Sequence, residues 1–411
     1  MKQTIDQRWD LIDKIAKQTV TFGEYKHTLK DAIGEFTVKP LTGIPIAIAV
    51  MYAFWSIFGY FAGFFTDGFF VRLFDAYWLP WLQEVFPGQG GWIYAIMVDA
   101  GGIEGGEFVL SDNCLESFGV LTSGLFVAIG VVLPAIVIFY LMLALLEDIG
   151  YMPRLAVLID TMLHKIGLHG YAIVPTILSL GCNVPGVTAT RILETKKQRF
   201  IMMTLLAIFI PCGAQIGIMQ DVIPGLMGWI LLYLIIGYFI FGYILNKIVP
   251  GKAPEFLIDV LPYRRPMLSN IGKKVWGRIT GYFKVAIPFV LLGAAMVGVL
   301  YQLGVIRFLG DALAPVFVGW FGVPKETAGP LIAAFLRKDL AVAQLSVIEM
   351  TEYQMITAVV LVSIYFPCVA TFAMMLKEGW KELLGAMAVL AVVVFAYGGL
   401  IHLIGILLGV A

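Results

Sequence analysis

Apolar stretches of about twenty residues, the length that spans a bilayer as a helix, alternate with short polar connections from residue 41 onward. The first forty residues differ: Trp9, Ile12 and Ile15 recur at helical spacing among Lys and Asp, which predicts a polar helical segment beside the membrane. The first apolar span is expected at 41–65. Residues 66–117 then hold eight acidic groups against the single Arg72, and a stretch so poor in Lys and Arg is expected as a loop outside the cytoplasm. Further spans are expected at 119–146, 200–219, 226–248, 285–303, 354–376 and 382–408. Residues 247–285 carry eight basic and two acidic groups, which predicts a cytoplasmic linker. Within it Ile271, Val275, Trp276 and Ile279 share the stripe of an interfacial helix.

Two apolar segments do not fit this pattern. Between Pro175 and Arg191 the run Gly181-Cys182-Asn183-Val184-Pro185-Gly186 cannot continue a helix. A broken backbone at membrane depth is tolerated only where it is buried in protein or lines a cavity. Arg154 and Lys165 precede the segment, and Arg191, Lys196, Lys197 and Arg199 follow it. Basic residues on both flanks predict that 171–192 enters and returns on the cytoplasmic side as a re-entrant hairpin. One straight crossing is the alternative.

The same stretch returns 155 residues later, with Pro330 on Pro175, Ile332 on Ile177, Val342 on Val187, Glu349 on Glu194 and, upstream, Gly322 on Gly167. After a slip of one residue, Pro367-Cys368-Val369-Ala370 falls on Pro211-Cys212-Gly213-Ala214. The chain is therefore read as a duplication. Three crossings per unit invert the second unit relative to the first, so 328–348 would enter from outside. The expected fold is an all-α polytopic helical bundle with an inverted repeat, each unit holding a re-entrant hairpin and a broken helix.

Composition agrees: 60% hydrophobic residues, 14% charged and a mean hydropathy of +0.89 describe an integral membrane protein. Four cysteines without a Cys-x-x-Cys spacing give neither a disulfide framework nor a zinc finger. No cleavable signal peptide is expected, and nothing points to nucleic acid, a cofactor or a catalytic constellation. The chain contains no Gly-x-x-x-x-Gly-Lys-Ser/Thr run, hence no P-loop within it.

Candidate chemistry gathers at the breaks. Cys182 sits at the first tip, and Cys212 and Cys368 follow prolines at matched positions. Pro211 frees the carbonyl of Ala207 and Pro367 that of Ser363, and such carbonyls attract cations. Thiolates bind soft or borderline metals, whereas a lone membrane cysteine is ordinarily a small packed hydrophobe; both readings stand. Asn183 either adds an oxygen ligand or caps the helix that follows. At the second tip, Arg337-Lys338-Asp339 is charged in an apolar setting. Asp339 is either a cation ligand or the salt-bridge partner of Lys338. Glu147 and Asp148 form either a gate or a solvated interfacial pair, Lys338 is a further gate candidate, and His402 is read as structural.

LEDIGYM (146–152), GCNVPGVTATRILE (181–194), PCGA (211–214), APEFLIDVLPYRRP (253–266) and YFPCVAT (365–371) resemble the membrane portion of the FeoB ferrous iron transporter family, from residue 40 to near the C-terminus. The resemblance implies two Gate units similar to the hairpin-bearing halves of concentrative nucleoside transporters. It divides the chain into a juxtamembrane segment (1–40), a first helix with an acidic loop (41–117), a first Gate repeat (118–248), a linker (249–281) and a second Gate repeat (282–411). It implies Fe²⁺ uptake across a prokaryotic cytoplasmic membrane, with the N-terminus inside and Cys182, Cys212 and Cys368 on the family's cysteine positions. That family's second hairpin ends in Lys-Glu where this chain has Lys338-Asp339. FeoB begins with a GTP-binding domain that these residues do not contain. Either that domain is a separate polypeptide, or this branch works without it and carries something else; the expected partners are a separate GTP-binding subunit, a small cytoplasmic accessory protein and further copies of this chain. The alternatives are a carrier of nucleosides or another organic solute, and a Gate-repeat protein that transports nothing.

Overall fold

A computed structural model describes residues 14–15, 19, 29–85, 94, 97–98, 102–104, 107–109, 119–251, 263–335, 338–346 and 348–409. Most of the juxtamembrane segment, much of the acidic loop, the linker stretch 252–262 and Arg337 lie outside the described residues. Among those described, six helices are long and apolar enough to cross a membrane: Pro40–Val85, Ala128–Ile149, Lys196–Gln220, Met227–Ile248, Glu352–Glu378 and Trp380–Leu407. One two-stranded antiparallel ladder pairs Gly102–Glu104 with Glu107–Val109.

A short helix α1 (Leu29–Val38) leads into α2 (Pro40–Phe65). The loop expected from residue 66 is instead helical to Val85, partly as wider π-helical turns. Its charges (Asp67, Arg72, Asp75, Glu84) are carried on a path whose Phe74 and Leu79 are buried, with Phe74 edge-on to Phe126 at 5.2 Å. Packing of aromatic residues outweighs the polar count there. After α3 (Leu133–Ile149), the left-handed Gly150 turns the chain into α4 (Tyr151–His164). The first hairpin is α5 (Ile173–Gly181) and α6 (Asn183–Ala189), followed by α7 (Lys196–Phe209), α8 (Gly213–Val222) and α9 (Met227–Ile248). The linker helix α10 (Leu268–Gly281) runs without a break through Tyr282–Ala286 into α11 (Ile287–Gln302). Ile271 and Val275 of α10 are buried, whereas Trp276, read on the same stripe, is exposed. The span expected at 285–303 is α11, too short alone to count among the six. Then come α12 (Val305–Phe321), the second hairpin α13 (Ala328–Ala333) and α14 (Lys338–Leu345), α15 (Glu352–Ile364), α16 (Val369–Glu378) and α17 (Trp380–Leu408). The helix α12 has no counterpart in the pattern of expected spans.

The duplication holds element by element. α12 repeats α4, the single turn Lys325–Thr327 repeats Gly170–Ala172, and α14 repeats α6. Gly167 and Gly322, matched in the sequence, both adopt positive φ (77° and 68°). Each is covered by a matched residue, Asn246 on Gly167 and His402 on Gly322, which gives His402 its structural role. α7 and α15 begin alike, with the Thr195 and Thr351 hydroxyls accepting from the amides of Gln198 and Gln354. Both helices are apolar all round and fill the centre: Ile201–Phe209 and Met355–Ile364 are entirely buried.

The two units are antiparallel. Lys197, at the start of α7, donates to the carbonyls of Asn246 (2.8 Å) and Gly251 (3.2 Å) at the end of α9. Phe200 packs on Gly385 near the start of α17. At the opposite end, the Tyr353 hydroxyl donates to the Ile401 carbonyl late in α17, and the Tyr397 hydroxyl to that of Tyr233 early in α9. Thus α9 ends where α17 begins. The matched residues Phe241 and Tyr397 meet at 5.8 Å, which places the pseudo-two-fold axis between them. Gly167 and Lys197, on the two flanks of the first hairpin, both touch Asn246. That hairpin therefore leaves by the side it entered, and the second does the same from the opposite side, its flanks Gly322 and Tyr353 meeting at 401–402.

Candidate functional site

Each hairpin arm is held by close packing at its turn. α5 stops at Gly181 under the Phe139 ring, Cys182 is extended, and α6 starts at Asn183. A Cβ built on Gly186 would fall 1.7 Å from Ser179 Oγ, so only glycine lets the arms lie this near. Pro185 sits in the first turn of α6, where no intrahelical donor is needed. In the second hairpin the Phe335 carbonyl accepts the Val369 amide (3.0 Å) at the head of α16, which fixes that tip against the second break.

The breaks themselves follow from Pro211 and Pro367. α7 ends at Phe209 and α8 restarts at Gly213; α15 ends at Ile364 and α16 restarts at Val369. The cation that reaches the freed carbonyls is Lys338. Its ammonium donates to the carbonyl of Ser363 at 2.6 Å and, more weakly, to that of Ala207 at 3.4 Å. Those two carbonyls are equivalents in the repeat, so one lysine ties both broken helices together. Lys338 is 5% exposed and Asp339 8%, and a charge so deeply buried needs such partners. The sequence offers Asp339 as a partner of Lys338; the structure adds these two carbonyls. Both acceptors stand at helix C-termini, where the macrodipole is negative.

Around this joint lie polar side chains with unused capacity. Asn183, the repeat equivalent of Lys338, donates to the Ile210 carbonyl (3.3 Å) at the first break, and its Oδ1 is buried without a partner. Gln215 on α8 donates to Ser363 Oγ (2.6 Å), and its Oε1 is likewise buried and unpartnered. Gln215 was not singled out from the sequence; its signal was a polar residue in the first turn after a proline break, in an otherwise apolar stretch. The three cysteines are free and half-buried. Cys182, Cys212 and Cys368 each stand immediately before a helix, α6, α8 and α16. Cys368 Sγ lies 3.1 Å from Thr371 Oγ1. The two breaks thus share Lys338, with Asn183 reaching the first and Gln215 bridging from α8 to Ser363. Among the described residues no group of three or more His, Cys, Asp or Glu is arranged to hold a metal ion.

Glu147 and Asp148 stand elsewhere, at the end of α3. Glu147 pairs with Lys274 at 3.2 Å, and Asp148 accepts the Met267 amide at 2.6 Å. Both carboxylates anchor α10. On the same basic face Arg191, just past the first hairpin, forms a two-oxygen bridge to Glu378 at the end of α16 (2.9 and 3.0 Å). Arg154 is buried, stacks on Tyr263 at 3.6 Å and donates to the Gly150 carbonyl.

The Gate family, described as nucleoside recognition, matches this chain twice, at residues 129–223 and 283–380. Between the two lies a match to the ferrous iron transport protein B C-terminus, residues 226–278. The chain belongs to the FeoB family. Curated FeoB proteins, each named an Fe(2+) transporter, align along it. That of Staphylococcus aureus strain MSSA476 is 28% identical over 318 residues, 67% of this chain and 47% of that one. That of Methanocaldococcus jannaschii is 24% identical over 452 residues, 98% and 63%, and that of Campylobacter jejuni 28% over 302 residues, 70% and 44%. The chain thus spans roughly half the length of the FeoB relatives it matches. A solved structure of CNTnw in an outward-facing state aligns over 91% of this chain with 18% identity and a TM-score of 0.46.

Proposed function

We propose that this chain carries Fe²⁺ across the cytoplasmic membrane, passing it through the space between the two helix breaks. The observation that supports the reading is the placement of a thiol at the first hairpin tip and at each of the two breaks that Lys338 joins. A borderline metal suits a set of sulfurs with amide oxygens such as Asn183 Oδ1 and Gln215 Oε1, and the relatives are named for that ion. An organic solute would call for several convergent polar side chains, and the first tip offers one thiol and one amide. The side chains are not arranged as a closed metal sphere, which suits a carrier that must release its cargo. Asp339 is a further ligand, and Glu147 with Asp148 a gate only in so far as they move α10.

The basic face is read as cytoplasmic, together with the N-terminus. A separate GTP-binding subunit and a small accessory protein are expected to dock there, and the chain is expected to work in more than one copy. Reconstituted vesicles test the metal reading. Replacing Cys182 or Cys368 by serine should lower ⁵⁵Fe²⁺ uptake by about tenfold or more, the scale seen when metal surroundings are altered, with the thermal midpoint kept. Uptake unchanged in both variants would return the cysteines to a packing role.

A further inference from the structure

The joint between the breaks has the makings of a second site, one that does not depend on which metal is carried. Its acceptors are backbone carbonyls, Ala207 O and Ser363 O, each released by a proline and each at the negative end of a helix. They come from matched positions of antiparallel units, so they face the pseudo-two-fold axis from opposite sides. Gln215 Oε1, buried and unpartnered, stands on the same Ser363 through its amide nitrogen. The two carbonyl oxygens that converge on the ammonium are neutral donors of the type that hard cations take, and unwound carbonyls at half-helix ends are where coupling cations bind in repeat transporters.

We propose that this cradle is a monovalent-cation site that the chain fills with its own Lys338 ammonium. The charge held there is a single positive one, supplied covalently by the second hairpin. The first repeat offers a contrast: Asn183, in the place of Lys338, brings a neutral amide to its break and reaches only the carbonyl of Ile210. A single cradle with a single tethered cation therefore serves both units. It follows that the protein needs neither Na⁺ nor K⁺ to join its repeats. Without the ammonium the two carbonyls are left buried and unsatisfied, a costly state, and a small monovalent ion of equal charge is the natural replacement.

The test compares thermal midpoints of the full-length chain and its Lys338→Met variant in NaCl, KCl and choline chloride at equal ionic strength, with no iron present. The original chain should melt at one temperature in all three salts. The variant should melt lower in choline and rise by several degrees, saturably, in Na⁺ or K⁺. A folded, monodisperse variant with the same midpoint in all three salts overturns the proposal. So does an original chain that responds to Na⁺ or K⁺ as strongly as the variant. Lys338→Gln is the second variant, and failure of both to fold even in Na⁺ or K⁺ also overturns it, since those ions are meant to replace the ammonium. Because iron plays no part in the readout, loss of the Fe²⁺ reading would leave this result standing, and the reverse.

Discussion

At Gly186 the place of a side chain is already taken by Ser179. Gly186→Ala should therefore destabilise the folded chain by about 1–3 kcal/mol, the usual cost of overpacking, and Ser179→Gly in the same chain should recover part of it. Thermal melts of the single and double variants check this; a wild-type midpoint for Gly186→Ala would mean the hairpin arms stand apart. A second residue sets a pH limit. Burial pushes the His169 imidazole below its ordinary value, against the opposing pull of Glu194 and Asp160. The folded state then binds a proton less readily than the unfolded one, so stability is full above the unfolded pKa of ~6.5 and falls as pH drops beneath it. His169→Gln should flatten that acid limb in melts between about pH 7 and pH 5. The thiols and the two proline-freed carbonyls were legible from residue type and spacing alone. The partner of those carbonyls was not, because Lys338 reaches Ala207 across 131 positions of sequence and only the folded repeat brings them together.

The helices that open the two broken spans are alike but not equally capped. The Thr351 hydroxyl accepts from the Gln354 amide while the Gln354 side chain accepts from the Thr351 amide; at the matched site Thr195 accepts from the Gln198 amide, but the Gln198 side chain is buried without a partner. Thr351→Ala should thus cost more than Thr195→Ala, each on the order of 1 kcal/mol, as read from paired denaturation curves. Equal losses would show that the reciprocal half of the cap contributes nothing. At this scale the hairpins and breaks were readable because Gly and Pro leave few options to a backbone in lipid. The helical path from 66 to 85 was hidden by its charges, and α12 by the absence of a span-length apolar run.

At the largest scale the two repeats are copies of one arrangement packed head to tail about Phe241 and Tyr397. Cysteines placed singly at Lys165 and at Lys197, on opposite flanks of the first hairpin, should both resist an impermeant thiol reagent applied to intact cells. Labelling of either from outside would remove the cytoplasmic assignment of that face. Inversion was legible from the odd number of crossings per unit, but the axis was not, since it rests on contacts between aromatic rings far apart in sequence. The ion pair between Arg191 and Glu378 carries this symmetry one step further. The repeat places Ser346 and Val222 at the matching positions, and no ion pair can form from those two. A machine made of two identical halves would rest indifferently facing either way; any preference must reside where the halves differ. Here one end carries an ion pair that its mirror position lacks, so the end of α16 is fastened to the first hairpin on the basic face while the corresponding end of α8 has no such tie to the second.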